Sequence, residues 1–119
     1  MRNDKENLIV DLTLDFALDI IEYCETLEEL KKYVIARQLL KSGTSIGANV
    51  NEAQNAESKA DFIHKLKIAA KEADETYYWL KLCKLSKRYP NPEGLEIKIT
   101  SINNVLSKII SSSKSTPQN

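Results

Sequence analysis

The residue in this chain best suited to metal or acid–base chemistry is His64, the only histidine. Asp61 precedes it at the i, i+3 spacing, and an acid three residues before a histidine on a helix is the ligand pattern of di-iron bundles. Those sites use glutamate and carry the motif twice, whereas this chain has aspartate and one copy. Zinc needs further ligands at defined spacings, which scattered carboxylates do not supply. We therefore predict no metal and no cofactor, and we expect His64 to pack or to form a hydrogen bond at an interface.

A second candidate is a polar strip in the middle of the chain, where Ser45, Asn49 and Glu52 follow the i, i+4, i+7 spacing of one helix face. Neither Ser42 nor Ser45 has a base in a recognisable catalytic arrangement, and Ser42-Gly43-Thr44-Ser45 lacks the lysine of a phosphate loop. Two interpretations stay open. The strip is a hydrogen-bond network between helices in which Glu52 meets a lysine or arginine, or it lines a ligand or partner pocket between subunits. Neither supplies a reaction, so we predict that the protein is not an enzyme.

Two glycines, Gly43 and Gly47, lie four residues apart beside this strip. A glycine inside a helix costs roughly 0.5–1 kcal/mol relative to alanine, so two on one face need a physical reason. The reason we infer is close approach, because the missing Cβ atoms let a neighbouring helix or side chain press against the backbone. We therefore predict a packing and register motif made of Gly43, Ser45, Gly47, Asn49 and Glu52.

The composition favours an all-helical fold. Hydrophobic residues make up 42% and charged residues 29% of the 119 positions, while glycine and proline number only three each, too few for many tight turns. Charges interrupt every long apolar run and the first residues do not resemble a signal peptide, so we expect a cytoplasmic protein with no membrane contact. Cys24 and Cys83 have no metal-ligand spacing, and we predict that both are reduced and buried.

Helical periodicity and start signals divide the chain into four helices, over about residues 6–25, 27–56, 59–87 and 93–111. Thr26 with Glu29, and Ser58 with Asp61, have the spacing of capping boxes that begin helices. The prolines of Pro90-Asn91-Pro92 end the third helix. We predict one antiparallel, up-down-up-down four-helix bundle over residues 6–111, between a flexible N-terminus (1–5) and a disordered tail (112–119).

The first helix is too apolar for one buried face. Its acids form a single stripe, and the remaining positions cover an arc of about 200°, wider than the roughly 100° of a surface helix. The apolar positions of that arc are Ile9, Val10, Leu12, Leu14, Phe16, Ala17, Ile20, Ile21, Tyr23 and Cys24. In a bundle of few helices the second side must contact another subunit or a partner, unless the helix is central in a compact monomer. Trp79 lies on the back of an amphipathic third helix, where tryptophan is typical of interfaces. We predict an interface with Phe16, Ile68, Trp79 and Leu82.

The net charge is zero, but it is unevenly distributed. Residues 1–27 carry two bases and seven acids, a net −5, whereas residues 58–90 carry eight bases and four acids, a net +4. This segregation indicates complementary packing of the first and third helices, within a subunit or between subunits. One basic cluster, Lys81, Lys84, Lys87 and Arg88, is dense enough to contact nucleic acid. The alternative is a solvated helix end whose charges complement the helix dipole.

Several short strings in the central helices resemble one known family. They are Thr44-Ser45-Ile46, Asn49-Val50, Glu52-Ala53, Asp61-Phe62-Ile63-His64-Lys65-Leu66, Lys71-Glu72-Ala73, Glu75-Thr76 and Tyr78-Trp79-Leu80. Together they resemble the bacterial four-helix-bundle family, also called the 23S rRNA intervening-sequence protein or S23 family, and the similarity runs from about Asn7 to Ile110.

The resemblance implies an antiparallel four-helix bundle that assembles into a ring, in known relatives a homopentamer. Some members are encoded in intervening sequences of 23S rRNA genes, and related accessory proteins of diversity-generating retroelements bind nucleic acid and a reverse transcriptase through a strongly basic surface. The zero net charge and acidic first helix of this chain differ from that basic pattern. We expect a non-enzymatic, self-associating scaffold that binds a protein or RNA partner. The alternative is a purely structural module without nucleic-acid binding.

Overall fold

The computed structural model describes residues 4–115, with side chains from residue 8 onward, as four helices. These are α1 (Asp4–Glu29), α2 (Tyr33–Ala53), α3 (Lys59–Leu85) and α4 (Glu93–Ser115). Of the predicted flexible N-terminus (1–5), residues 1–3 lie outside the described residues, and residues 4 and 5 belong to α1. Residues 116–119 of the predicted tail (112–119) also lie outside the described residues. Each helix packs against the next one along the chain, and α4 closes the bundle against α1.

The bundle is antiparallel throughout. Ser42 and Glu52 of α2 meet Thr76 and Lys65 of α3, and Gly43 and Gly47 of α2 lie against Ile20 and Thr13 of α1, so residue numbers rise along one helix as they fall along its neighbour. Lys84 near the end of α3 meets Glu96 near the start of α4. The predicted all-α four-helix bundle is therefore confirmed. Its extents are 52 × 20 × 19 Å, so the long sides of the helices form most of the surface available to a partner.

The boundary between α1 and α2 differs from the prediction. The Thr26 hydroxyl donates to the Glu22 carbonyl within α1, so the residue continues a helix and does not start one. The helix ends three residues later in a Schellman motif, in which the Lys31 amide donates to the Glu28 carbonyl and the Lys32 amide to the Leu27 carbonyl. Lys31 has a φ of 64°, in the left-handed region that glycine normally occupies at this position. A lysine there gave no sequence signal for the turn, and the predicted start at residue 27 was wrong.

The other two boundaries follow the local signals. Ser58 accepts a hydrogen bond from the Asp61 amide at 3.0 Å, which confirms the predicted start of α3. α3 ends at Leu85, two residues before the predicted end, and Pro90 and Pro92 lie in the connection that follows. α4 begins at Glu93 as predicted but continues to Ser115, four residues beyond the predicted helix end at residue 111, so the first four residues of the predicted tail are helical.

The core is a single aliphatic cluster to which all four helices contribute. From α1, a row at heptad-like spacing faces inward and is fully buried, namely Ile9, Thr13, Phe16 and Ile20. Phe16 was predicted at a subunit or partner interface, and that prediction was wrong. Its ring is entirely enclosed by its own bundle, so it has no surface left to offer a partner.

α1 approaches α2 most closely at the two glycines. A Cβ atom built on Gly43 would lie 2.9 Å from Ile20 Cγ2, nearer than real Cβ atoms come to a neighbour. At Gly47 the corresponding atom would lie 3.4 Å from both the carbonyl oxygen and Oγ1 of Thr13, an ordinary contact. Gly43 is therefore sterically required where it stands, and Gly47 is not.

One buried polar contact joins α2 to α3. The hydroxyls of Ser42 and Thr76 lie 2.9 Å apart, hydrogen-bond to each other, and are both fully buried. The Thr76 hydroxyl also lies 2.7 Å from the Glu72 carbonyl, so the pair connects to the backbone of α3. Sliding either helix along the other would leave a buried hydroxyl without this partner, at a cost of about 1–3 kcal/mol. The pair therefore favours one register.

Replacing each glycine with alanine distinguishes the tight contact at Gly43 from the ordinary contact at Gly47. Ile20 is β-branched and has one preferred χ1 rotamer in a helix, so it cannot rotate away from a new methyl group. We expect Gly43→Ala to lower the free energy of unfolding by about 1 kcal/mol, because overpacking costs more than alanine's helix propensity returns. Gly47→Ala should leave it unchanged or raise it by up to about 1 kcal/mol. Urea denaturation of both variants checks this, and equal stability of the two would contradict it.

A double-mutant cycle tests the Ser42–Thr76 pair. We expect Ser42→Ala and Thr76→Val each to destabilise the fold, with a coupling energy of about 0.5–1.5 kcal/mol between them. Ser45→Ala is the matched control, since that hydroxyl bonds only within α2, and its effect should stay within about 0.5 kcal/mol. Additive single-variant effects in urea denaturation would show that the two hydroxyls do not stabilise each other.

Candidate functional site

The predicted polar strip on α2 lies on an accessible part of the bundle, but two of its members do not reach another helix. The Ser45 hydroxyl donates to the Lys41 carbonyl at 2.6 Å, and the Asn49 amide donates to the Ser45 carbonyl at 2.9 Å. Both bonds stay within α2, so the expected inter-helix network does not include these residues. Glu52 does cross to α3, where its carboxylate accepts from Lys65 Nζ at 3.1 Å.

The contact that fixes the register between helices was predicted for this strip, but Ser42 and Thr76 make it instead. The Glu52–Lys65 pair is partly exposed, and although it raises the pKa of Lys65 by hydrogen bonding, exposed pairs of this kind stabilise a fold only weakly. Thr76 lies at helical spacing among the apolar residues Ala69, Ala73 and Leu80 of α3, where a hydroxyl needs a partner. That requirement was the available signal for the buried pair.

α1 has a second, outward apolar row that its own bundle leaves uncovered. Leu14, Leu18 and Ile21 follow the i, i+4, i+7 spacing, with 59%, 58% and 39% of their surface exposed. We call these three residues the α1 stripe. Leu40 of α2 is also exposed, at 39%. The broad apolar arc of α1 is therefore half core and half surface.

α3 carries a comparable outward row. Tyr78, Leu82 and Leu85 repeat the i, i+4, i+7 spacing and are 56%, 38% and 70% exposed. We call these three the α3 stripe. Of the other predicted interface residues, Ile68 is half-buried on the same helix, and Trp79 is half-buried against the core.

Trp79 is held in place by its own helix. Its indole Nε1 donates to a Glu75 carboxylate oxygen at 3.2 Å, and its ring meets the Tyr78 ring edge-on at 5.5 Å between centroids. The tryptophan therefore supports the α3 stripe from one side, while Tyr78, Leu82 and Leu85 form the exposed part.

The predicted basic cluster lies at the C-terminal end of α3, and all four of its side chains are exposed. Lys84 forms an ion pair with Glu96 of α4 at 3.1 Å. Lys81, Lys87 and Arg88 form no ion pair within the described part of the chain. Three of the four cations thus remain available to an anionic partner.

A further cation, Lys98, links α4 to α1 through ion pairs. Lys98 Nζ donates to Asp15 at 2.8 Å and also to Asp19, and these hydrogen bonds raise the pKa of Lys98 above its usual range. Asp19, Tyr23 and Lys98 line an open cleft of about 400 Å³. Because Lys98 and Asp19 are engaged with each other there, the cleft does not present them as a free acid–base pair. The sequence showed the acidic stripe but not its lysine partner.

The remaining reactive groups are sequestered or dispersed. Cys24 and Cys83 are free and buried, as predicted, and burial raises the pKa of Cys24 to about 12, so it is a neutral thiol at physiological pH. Burial also raises the pKa of Tyr23, whose hydroxyl donates to the Pro90 carbonyl at 2.6 Å. His64 is exposed on α3. Over the described residues, no group of histidine, cysteine and acidic side chains is arranged to hold a metal ion.

Comparison with known proteins identifies the family. No helix in the described residues is long and apolar enough to cross a bilayer. No curated protein matches the sequence. A crystal structure of a protein of unknown function from the S23 ribosomal protein family of Bacteroides thetaiotaomicron is 44% identical, covers 90% of this chain and 98% of that one, and superposes with a TM-score of 0.85. The family described as 23S rRNA-intervening sequence protein matches residues 5–115. The chain therefore belongs to the 23S rRNA-intervening sequence protein family.

Proposed function

We propose that this protein is a non-enzymatic, cytoplasmic helical bundle that self-associates and serves as a binding scaffold for a protein or RNA partner. The observation that carries the proposal is the α1 stripe, because three large aliphatic side chains stand exposed in a row at helix-packing spacing. Isolated exposed leucines are common, but contiguous apolar surface is typical of interaction sites.

The packing of the bundle supports self-association in preference to catalysis. The polar atoms of the strip are engaged with their own backbone or with Lys65, and the thiols are buried. Burying the α1 stripe in an interface would favour association by roughly 25 cal/mol of free energy per Å² of apolar surface removed from water. Family membership supports the same proposal, and we expect the assembly to be a homopentamer, as the resemblance implies.

Self-association is tested by sedimentation equilibrium of the purified full chain over a wide concentration range. We expect wild type to be larger than a monomer and Leu14→Glu/Leu18→Glu to be a monomer, because two buried carboxylates without partners would oppose association. Ile97→Glu is the matched control, since Ile97 is 67% exposed but belongs to α4 and to neither stripe. Wild type that remains monomeric at the highest concentration would refute the proposal.

The basic cluster favours RNA as the class of partner, because Lys81, Lys87 and Arg88 are exposed and without ion pairs in the described residues. Its neighbourhood limits the strength of such contact, since Lys84 is held by Glu96. The alternative is a structural module without nucleic-acid binding.

Fluorescence anisotropy with a structured RNA hairpin at several salt concentrations distinguishes these alternatives. If the basic cluster contacts RNA, three cations predict a slope of log K against log salt of roughly −2 to −3, and Lys81→Glu/Arg88→Glu should abolish binding. Lys108→Glu/Lys114→Glu, which removes two lysines from the other end of α4, is the charge-matched control and should preserve it. No binding at low salt would exclude the RNA scaffold and leave the structural module.

A further inference from the structure

We propose that the α1 stripe of one copy packs on the α3 stripe of a second copy, so that assembly proceeds head to tail. This inference rests on the proposed self-association and names the two surfaces that meet. Both stripes have three large side chains at i, i+4, i+7, the spacing with which one helix packs along another. Both stripes keep a large exposed apolar surface on their own bundle.

Charge distinguishes the two stripes and favours pairing one with the other. Residues 11–29 contain seven acids and no base, and Asp11, Glu22 and Glu25 beside the α1 stripe form no ion pair in the part of the chain that is described. Residues 67–88 contain six bases and three acids. A surface of one sign therefore meets a surface of the other, whereas an antiparallel α1–α1 contact would set acids beside acids.

The flanks of the α3 stripe contain the cations that such a contact needs. Lys67 and Lys71 are exposed and lie on the same outward side of α3 as Tyr78, Leu82 and Leu85. Neither lysine is paired within residues 8–115. Of the acids nearby, Asp74 is exposed on the same side, and Glu75 accepts the Trp79 hydrogen bond, so one of its oxygens is already engaged.

A second argument comes from how much exposed apolar surface each possible contact would bury. A symmetric contact through the α1 stripe would leave Tyr78, Leu82 and Leu85 exposed, and a symmetric contact through the α3 stripe would leave the α1 stripe exposed. One head-to-tail contact, repeated, covers both with a single kind of interface.

Mixing two variants, each blocked on one stripe, tests the pairing. Leu18→Glu blocks the α1 stripe and Leu82→Glu blocks the α3 stripe, and each variant should be a monomer by light scattering. Mixed in equal amounts they should form a species of twice the monomer mass and nothing larger, since each supplies the one surface that the other lacks. Ile97→Glu should assemble like wild type. If circular dichroism shows that Leu82→Glu is misfolded, Leu85→Glu replaces it, because Leu85 is 70% exposed.

The outcomes separate this inference from the proposed function. Wild type that assembles while Leu82→Glu assembles equally well would overturn the head-to-tail pairing and leave self-association intact. Blocked variants that stay monomeric after mixing would also overturn it, because the two intact stripes would then have met without binding. A monomeric wild type would overturn both.

Discussion

The close approach of α1 to α2 at Gly43 determines how the rest of α1 is used. Ile20 lies against the Gly43 backbone where a side chain would collide with it, and this contact fixes which face of α1 points inward. Phe16 and Ile9 follow Ile20 into the core because they share that face. Leu14, Leu18 and Ile21 are then directed outward, because a helix cannot present every apolar residue to one neighbour. The exposed stripe is thus a geometric consequence of the glycine contact.

The two helix pairs that share α2 are held by different kinds of interaction. The α1–α2 contact is apolar and depends on shape, whereas α2–α3 adds a buried hydroxyl pair that favours one register. Apolar surfaces tolerate small sliding movements better than buried hydroxyls do, since a displaced hydroxyl loses its partner. α2 therefore contacts its two neighbours through different interactions, and neither contact uses the outward sides of α1 and α3.

Much of this architecture could be predicted from periodicity and helix signals, and the failures have specific causes. The capping serine at Ser58 and the prolines after α3 marked their boundaries because both act locally. The turn after α1 was missed because Lys31 adopts a left-handed conformation without glycine. Phe16 and Leu14 could not be assigned to core and surface from one broad apolar arc, since that choice depends on where α2 and α4 pack. The partners in polar contacts could not be predicted for the same reason. The Ser45 hydroxyl, for example, donates to the Lys41 carbonyl of its own helix.

Although the net charge is zero, acidic residues are concentrated on α1 and basic residues on α3. Lys98 pairs with both Asp15 and Asp19 on the side of α1 that faces α4 and reduces the net charge of that group to −1, which favours the approach of those helices. Asp11, Glu22 and Glu25 form no ion pair in the described residues, and the excess bases of α3 lie on the helix diagonally opposite α1 in the bundle. Opposite charges held apart by a rigid bundle cannot relieve each other within one chain, because exposed charges more than about 10 Å apart are largely screened at physiological salt. They can meet only where a second molecule brings an acidic flank against a basic one, and the apolar stripes lie beside those flanks.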